Sequence, residues 1–229
     1  MLGPIVNAIT IIVCAVLGKV LIKNFPERFE SIIKQGLALA VIYIGIAGAM
    51  ESNAILTLIL SMVLGAIIGE WIDIDKGMNN IGRWAERKLG FDEGNFAKGF
   101  VIACILFCTG SMAIVGSLNS GLQGNHEMLF AKSILDGIMS IVFASQLGIG
   151  VAFSAIPVFL YEGAIALGAT FLKGWLTPEI ITEMSAVGSL LIAGIGINFL
   201  GASSKEIKVA NMIPAIFLPW LFIALGFNM

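Results

Sequence analysis

Long apolar stretches alternate with short polar segments along nearly the whole chain. Eight of these stretches are long enough to cross a hydrocarbon core roughly 30 Å thick as helices that rise about 1.5 Å per residue. They are residues 4–22, 31–50, 54–72, 99–119, 128–147, 151–172, 180–200 and 209–227. The pattern predicts an all-α membrane protein with a single polytopic domain over residues 1–229.

Residues 73–98 form the one long polar connector between the predicted spans. Over residues 74–89, apolar side chains recur at helical spacing and charged side chains occupy the other faces, with Trp84 in the same stretch. Such a segment is typical of an amphipathic helix that lies on a membrane surface. We expect this connector on the cytoplasmic side, where it is also a candidate docking site for a partner.

The distribution of Lys and Arg predicts the orientation, because cytoplasmic loops carry an excess of both residues. If the first span runs from outside to inside, eleven of the thirteen basic residues fall on the inner side. These are Lys19, Lys23, Arg28, Lys34, Lys76, Arg83, Arg87, Lys88, Lys98, Lys205 and Lys208, and the outer side keeps Lys132 and Lys173. We therefore expect both termini on the outer side of the membrane.

Composition narrows the class of protein further. A chain that is 58% hydrophobic and 12% charged has too little polar surface to cover a soluble globule. Its net charge of -2 gives no basic surface for nucleic acid. Cys14, Cys104 and Cys108 fall inside apolar stretches, which excludes a secreted disulfide framework. Two thiols without a third ligand do not predict a metal site, so we expect no metal and no cofactor.

Asp136 is the main candidate for chemistry, because it lies near the bilayer midplane of the fifth predicted span. A carboxylate there costs at least ~2.5 kcal/mol and usually faces a protein or water-lined interior. Ser133 and Ser140 lie on the same helix face and could complete a polar shell. The alternative is a structural pair, since Lys132 precedes Asp136 by four residues and the two can neutralise each other.

Other polar residues within the predicted spans could contribute to the same site. The fourth span is rich in hydroxyl groups and glycine around Ser111, and such a helix can unwind to expose backbone groups. Glu162 lies about halfway along the sixth span, where it could line a cavity or stay protonated in a packed interface. The candidate binding residues are Asp136, Ser133, Ser140, Asn7, Ser111, Asn198 and Glu162.

A weak internal similarity relates spans one to three to spans six to eight, at a shift of about 147 to 150 residues. In this alignment Gly45 corresponds to Gly194, and Gly65 corresponds to Ala215. Since the shift equals five helices, the two copies would cross the membrane in opposite senses. An inverted repeat of this kind is typical of carriers that expose a midplane site to each side in turn.

Small residues in the third span predict close helix packing. Ser61, Gly65 and Gly69 recur every four residues and form a seam that lets two backbones approach. A homodimer built on this seam is one expectation. We expect no enzyme, because two aspartates in a proteolytic arrangement are missing and His126, the single histidine, is predicted to lie outside.

Four motifs resemble those of the YdfK/YqgA-like family of uncharacterised bacterial inner-membrane proteins. They are Asn7, Cys108-x-Gly-Ser-Met-Ala-Ile-Val-Gly-Ser117, Lys132-Ser-x-Leu-Asp-Gly-x-x-Ser140 and Asn211-Met-x-Pro214. The resemblance covers nearly the whole chain and implies a polytopic inner-membrane protein, without a substrate or established functional residues. At residues 161–163 the chain has Tyr-Glu-Gly, where the family has Tyr-Gln-Gly.

Three functions fit these observations. The first is a secondary transporter that moves a small solute or a cation by alternating access through a site around Asp136. The second is an oligomeric ion channel lined by polar stripes. The third is a structural or regulatory membrane protein, in which Asp136 is only paired with Lys132.

Overall fold

The computed structural model describes residues 1–22, 27–77, 80, 96–172, 174–201 and 205–226. Within these ranges the chain folds into helices and contains no β-strand. The helices are α1 (Leu2–Ile22), α2 (Glu27–Ala49), α3 (Ile55–Ile72), α4 (Phe96–Thr109), α5 (Ser111–Gln123), α6 (Glu127–Leu147), α7 (Gly150–Phe153), α8 (Ala155–Leu167), α9 (Ala169–Leu172), α10 (Pro178–Leu200), a 3-10 helix (Val209–Phe217) and α11 (Leu218–Ala224). The all-α prediction is confirmed for these residues.

Six helical segments in the described part of the chain are long and apolar enough to cross a membrane. They are α1, α2, α3, α6, the stretch Gly150–Leu167 and α10. A seventh arises if α4 and α5 count as one span, although the two are bent by 61°. The last apolar segment, Val209–Ala224, is shorter and begins as a 3-10 helix. The total of eight spans therefore stays a prediction.

The predicted interfacial helix falls largely outside the described residues. Residues 74–77 are helical, and of the remainder up to 95 the structure describes residue 80 alone.

One predicted span is sharply bent, and another has a local irregularity. The fourth breaks at Gly110 between α4 and α5, in the hydroxyl-rich and glycine-rich stretch where the sequence favours unwinding. The Ser111 amide that begins α5 donates to the Ser185 hydroxyl over 3.1 Å. In the sixth, Pro157 has no amide hydrogen to donate to the preceding turn, so the hydrogen-bond pattern is irregular at Ser154. Ser154 keeps right-handed helical backbone angles, and the Val158 amide donates to the Ser154 carbonyl over 3.0 Å, so Gly150–Leu167 continues as one segment.

The helices group into two compact units. The first comprises Met1–Glu27, Met78–Cys108 and Met112–Trp175, and the second comprises Arg28–Gly77, Thr109–Ser111 and Leu176–Met229. Each unit is described separately below.

In the first unit, α1 packs closely along α6. A Cβ added at Gly18 would lie 2.2 Å from the Ile141 carbonyl oxygen, and one at Gly137 would lie 2.8 Å from the Thr10 methyl group. Contact positions rise together along both helices, so α1 and α6 run parallel. Small residues thus bring the two backbones together as they do in membrane helix pairs. Large apolar side chains on the opposite side of α1 are exposed, as expected for a surface that faces lipid.

In the second unit, α10 is buried over most of its length and packs antiparallel to α2. A Cβ at Gly45 would lie 2.4 Å from the Ala193 amide nitrogen, and one at Gly48 would lie 2.3 Å from the Ser189 hydroxyl. Thr177 begins α10 as an N-cap that accepts from the Ile180 amide over 3.3 Å.

The seam on α3 is also used within the second unit. A Cβ at Gly65 would lie 2.3 Å from the Ala215 Cα, and one at Gly69 would lie 1.7 Å from the Asn211 carbonyl oxygen. The seam therefore packs against the 3-10 helix of the same chain. It gives no support to the expected contact with a second copy, and the homodimer stays a prediction.

Candidate functional site

Four polar side chains meet in the interior of the first unit. Asn7 comes from α1, Lys132 and Asp136 come from α6, and Glu162 comes from α8. Exposed fractions are 0% for Asn7 and Glu162, 4% for Lys132 and 7% for Asp136. Asp136 lies near the middle of the 21-residue helix α6, the position at which a charge is most costly. We call these four residues the charged cluster.

The Asn7 amide group links two helices in this cluster. Its Nδ2 atom donates to Asp136 Oδ2 over 3.0 Å and to Glu162 Oε1 over 2.8 Å. The close packing of α1 on α6 through Gly18 and Gly137 places Asn7 within reach of Asp136. One amide on α1 thus joins two carboxyl groups that belong to two other helices, α6 and α8.

Lys132 supplies the positive charge of the cluster. Its Nζ atom donates to Asp136 Oδ2, one helical turn further along α6, and lies 3.4 Å from Glu162 Oε1. It also lies 5.9 Å from the centre of the Phe107 ring, within the range of a cation–π contact. The lysine therefore has partners on α4, α6 and α8, and its side chain is enclosed on all of these sides.

The charges in the cluster do not balance when every group is ionised. Two carboxylates face one ammonium group, which leaves one negative charge in excess. An uncompensated buried charge is strongly unfavourable, and buried groups escape this cost by binding a proton or another cation. The ion pair of Lys132 and Asp136 accounts for one carboxylate, and Glu162 is the second.

Several oxygen atoms in and beside the cluster have no hydrogen-bond partner within the described part of the chain. They are Asn7 Oδ1, Glu162 Oε2 and Ser140 Oγ. Ser133, by contrast, donates to the Leu129 carbonyl of its own helix over 2.7 Å. Buried polar atoms are rarely left without partners, so these oxygens are candidates for contact with a bound species.

Ser111 and Asn198 belong to the second unit, where both have contacts of a structural kind. Ser111 begins α5, and its amide is bonded to Ser185. Asn198 accepts from the Ile207 amide and donates to the Ile207 carbonyl, both over 2.9 Å, and so fixes the segment after α10. Their contribution to binding stays a prediction.

Lys132 is the member of this cluster that is missing from the candidate binding residues, where the sequence offers it only as a structural partner of Asp136. It is buried and donates to Asp136. The four-residue spacing on one helix face was the signal for this pair. Nothing local in the sequence links Lys132 to Glu162, because the two residues lie on different helices.

A second candidate is a largely apolar surface groove of about 520 Å³ in the second unit, with a few polar side chains at its edge. Glu70 accepts from Lys208 and from Asn211 there, each over 2.5 Å. The bond to Glu70 raises the pKa of Lys208. Exposed ion pairs of this kind contribute little to stability, and Lys208 is exposed. This groove is therefore a weaker candidate than the charged cluster.

The chain is similar to known proteins over nearly its whole length. It is 30% identical over 223 residues to the uncharacterized membrane protein YdfK of Bacillus subtilis, an alignment that covers 96% of this chain and 94% of that protein. It is 32% identical over 224 residues to the uncharacterized protein YqgA of Escherichia coli, with 95% and 94% covered. No solved structure matches the chain. Residues 2–224 match the sequence pattern described as protein of unknown function (DUF554), and the chain belongs to this family, as its motifs predict.

Proposed function

We propose that the protein is a secondary transporter that moves a small solute or ion by alternating access, with the charged cluster as its ion-responsive site. The observation that carries this proposal is the excess of one carboxylate over the single lysine in a buried cluster. A group used only to hold helices together needs no such imbalance. Ionisable groups inside membrane helices typically mark ion pathways and proton relays.

The bent fourth span adds support for transport. Its 61° bend at Gly110 falls within an apolar stretch, and discontinuous helices are a recurring feature of carriers. The half-helix that begins at Ser111 has its amide end within the apolar stretch. The Ser111 amide itself is bonded to Ser185, so the amides that follow it in the first turn are the candidates for contact with a solute.

Contacts in the second unit support the inverted repeat. Gly65 packs on Ala215, its counterpart in the alignment of the two copies, and Gly45 packs on Ala193, next to its counterpart Gly194. Both contacts join antiparallel segments. A twofold axis in the membrane plane would bring equivalent positions together in this way. The first unit likewise contains the corresponding spans one and six.

The transporter is proposed to reside in the inner membrane, with both termini outside. The charge distribution favours this orientation.

The test is electrical recording from proteoliposomes on a solid support. Rapid increases in the concentration of amino acids, carboxylic acids, sugars and monovalent cations are applied in turn. We expect a saturable current for the wild-type protein and its loss in Asp136→Asn. Glu51→Gln is the matched control, because Glu51 is an exposed carboxylate in the loop between α2 and α3. A current that Asp136→Asn leaves unchanged would contradict the proposed site.

The ion pair of Lys132 and Asp136 favours a second candidate, a membrane protein that does not transport and uses the pair to hold its helices together. In that case no increase in solute concentration produces a current. Replacing both residues with apolar ones of similar volume then leaves the protein stable, as is often found for buried ion pairs. Unitary conductance steps in a planar bilayer would instead favour the channel.

A further inference from the structure

We propose that Glu162 binds a single exchangeable proton, which brings the charged cluster to neutrality and serves as the coupling ion of the transporter. Its use in coupling rests on the proposed function, whereas its binding to Glu162 rests on the geometry alone. In this state Lys132 and Asp136 form the ion pair, and Glu162 is a neutral carboxylic acid. Release of the proton leaves a carboxylate and one negative charge in excess.

The hydrogen bonds assign the proton to Glu162 rather than to Asp136. Asp136 Oδ2 accepts from both Lys132 and Asn7, so its charge is compensated twice. Glu162 has a bond from Asn7 and a more distant lysine at 3.4 Å, both through Oε1. Its Oε2 atom has no partner within the described part of the chain and is free to carry a hydrogen atom.

A proton fits this position better than a metal cation does. A sodium ion requires a shell of several oxygen atoms, whereas the cluster offers Glu162 Oε2 and Asn7 Oδ1 as buried oxygens without partners. Lys132, itself a cation, lies beside the same carboxylate. Among the described residues, no group of three or more His, Cys, Asp or Glu side chains could hold a metal ion.

Other titratable groups surround Glu162. Lys132 and Asp136 face it from α6, and the Cys108 thiol on α4 and the neighbouring Tyr161 hydroxyl lie close enough to interact with it electrostatically. A thiol and a phenol are neutral near pH 7 and have acidities far weaker than that of a carboxylic acid. Gain or loss of a proton in the cluster therefore falls to the two carboxyl groups.

The charge balance gives a counting rule that an experiment can check. The number of protons bound equals the number of carboxyl groups minus the number of lysines. This is one for the wild type, none for Glu162→Gln, none for Asp136→Asn and two for Lys132→Met. In Asp136→Asn the rule requires Glu162 to ionise, because it becomes the sole partner of Lys132.

Infrared difference spectroscopy of the purified protein in lipid vesicles counts these protons through the carbonyl stretch of a carboxylic acid. We expect one such band in the wild type, lost on a jump to alkaline pH. The band should be absent from Glu162→Gln and Asp136→Asn, about doubled in Lys132→Met and unchanged in Glu51→Gln. In the wild type, carbon-13 glutamate should shift the band and carbon-13 aspartate should not, which tests the assignment even if the variants fail to fold.

Three results would overturn the proposal. They are no band in the wild type, a band that aspartate labelling shifts, and a band that appears only when sodium is replaced by choline, which would assign the site to sodium. Failure of the proposed function looks different. The wild type would then keep its glutamic acid band while no solute or pH jump drives a current across its vesicles.

Discussion

At the residue scale, the Glu183 side chain shows how a buried charge can be purely structural. It is 1% exposed in α10 and accepts from the Asn53 and Ala54 amides over 2.7 and 3.2 Å, and from the Ser52 hydroxyl over 2.5 Å. Ala54 has no side-chain oxygen to cap α3, so a carboxylate from another helix satisfies the free amides at its N-terminus. The negative charge also suits the positive end of the helix dipole.

Replacing Glu183 with Gln should therefore destabilise the protein by about 1.5–3 kcal/mol, because it removes the charge from these bonds and directs an amide donor at other donors. The measurement is the midpoint of thermal unfolding in detergent. Glu51→Gln, an exposed carboxylate in the neighbouring loop, should leave the midpoint unchanged. Equal midpoints for wild type and Glu183→Gln would show that this cap carries no stability.

The three buried acids differ in how far the sequence predicts their partners. The pairing of Lys132 with Asp136 could be predicted, because residues four apart on a helix face each other. The partners of Glu183 and Glu162 could not, because they lie on other helices, Asn7 being 155 positions from Glu162. A contact of that kind depends on packing between helices, which a single sequence does not specify.

At the element scale, glycine determines which helix faces can touch. Gly69 and Gly36 both lie in helices, but a Cβ at Gly69 would lie 1.7 Å from a backbone oxygen, whereas one at Gly36 would have no heavy atom within 4 Å. A backbone atom cannot move aside as a side-chain end can. The two positions therefore form a matched pair for the same substitution.

We expect Gly69→Ala to cost at least about 1–3 kcal/mol, because α3 and the 3-10 helix must separate to admit the methyl group. Gly36→Ala should be neutral or stabilise by up to about 1 kcal/mol through helix propensity. Thermal unfolding of both variants, followed by intrinsic fluorescence, measures the difference. A loss of stability in Gly36→Ala equal to that in Gly69→Ala would contradict the proposed role of close packing.

Hydropathy predicts the positions of most helices. It does not predict where a helix bends or which helices pack against each other. Predicted span 128–147 corresponds to Glu127–Leu147, and span 180–200 to Pro178–Leu200. Few residues around the 61° bend at Gly110 are polar enough to lower the mean hydropathy, so a hydropathy profile does not reveal the bend. The spacing of Gly65 and Gly69 predicted a close contact. It could not tell a second copy from the 3-10 helix, because both present a backbone to the same seam.

At the scale of the whole molecule, the predicted topology can be measured directly. Glu51 and Lys76 are both exposed. Glu51 precedes α3 and Lys76 follows it, so the two residues mark opposite ends of this span. The charge distribution predicts that Glu51 lies outside and Lys76 inside. We expect a membrane-impermeant maleimide to label Glu51→Cys in intact cells, and to label Lys76→Cys only after the cells are opened. The starting protein should have its three native cysteines replaced by alanine, and the reversed pattern would contradict the orientation.

The Asn7 side chain has a mechanical consequence for α1, α6 and α8. Its amide group donates to α6 and to α8 from one point on α1, so a shift of α1 changes its hydrogen bonds to both other helices. Ionisation of Glu162 would strengthen one of these hydrogen bonds by turning a neutral acceptor into a charged one. A chemical event on a single oxygen atom can thus be converted into a change in the spacing of three helices.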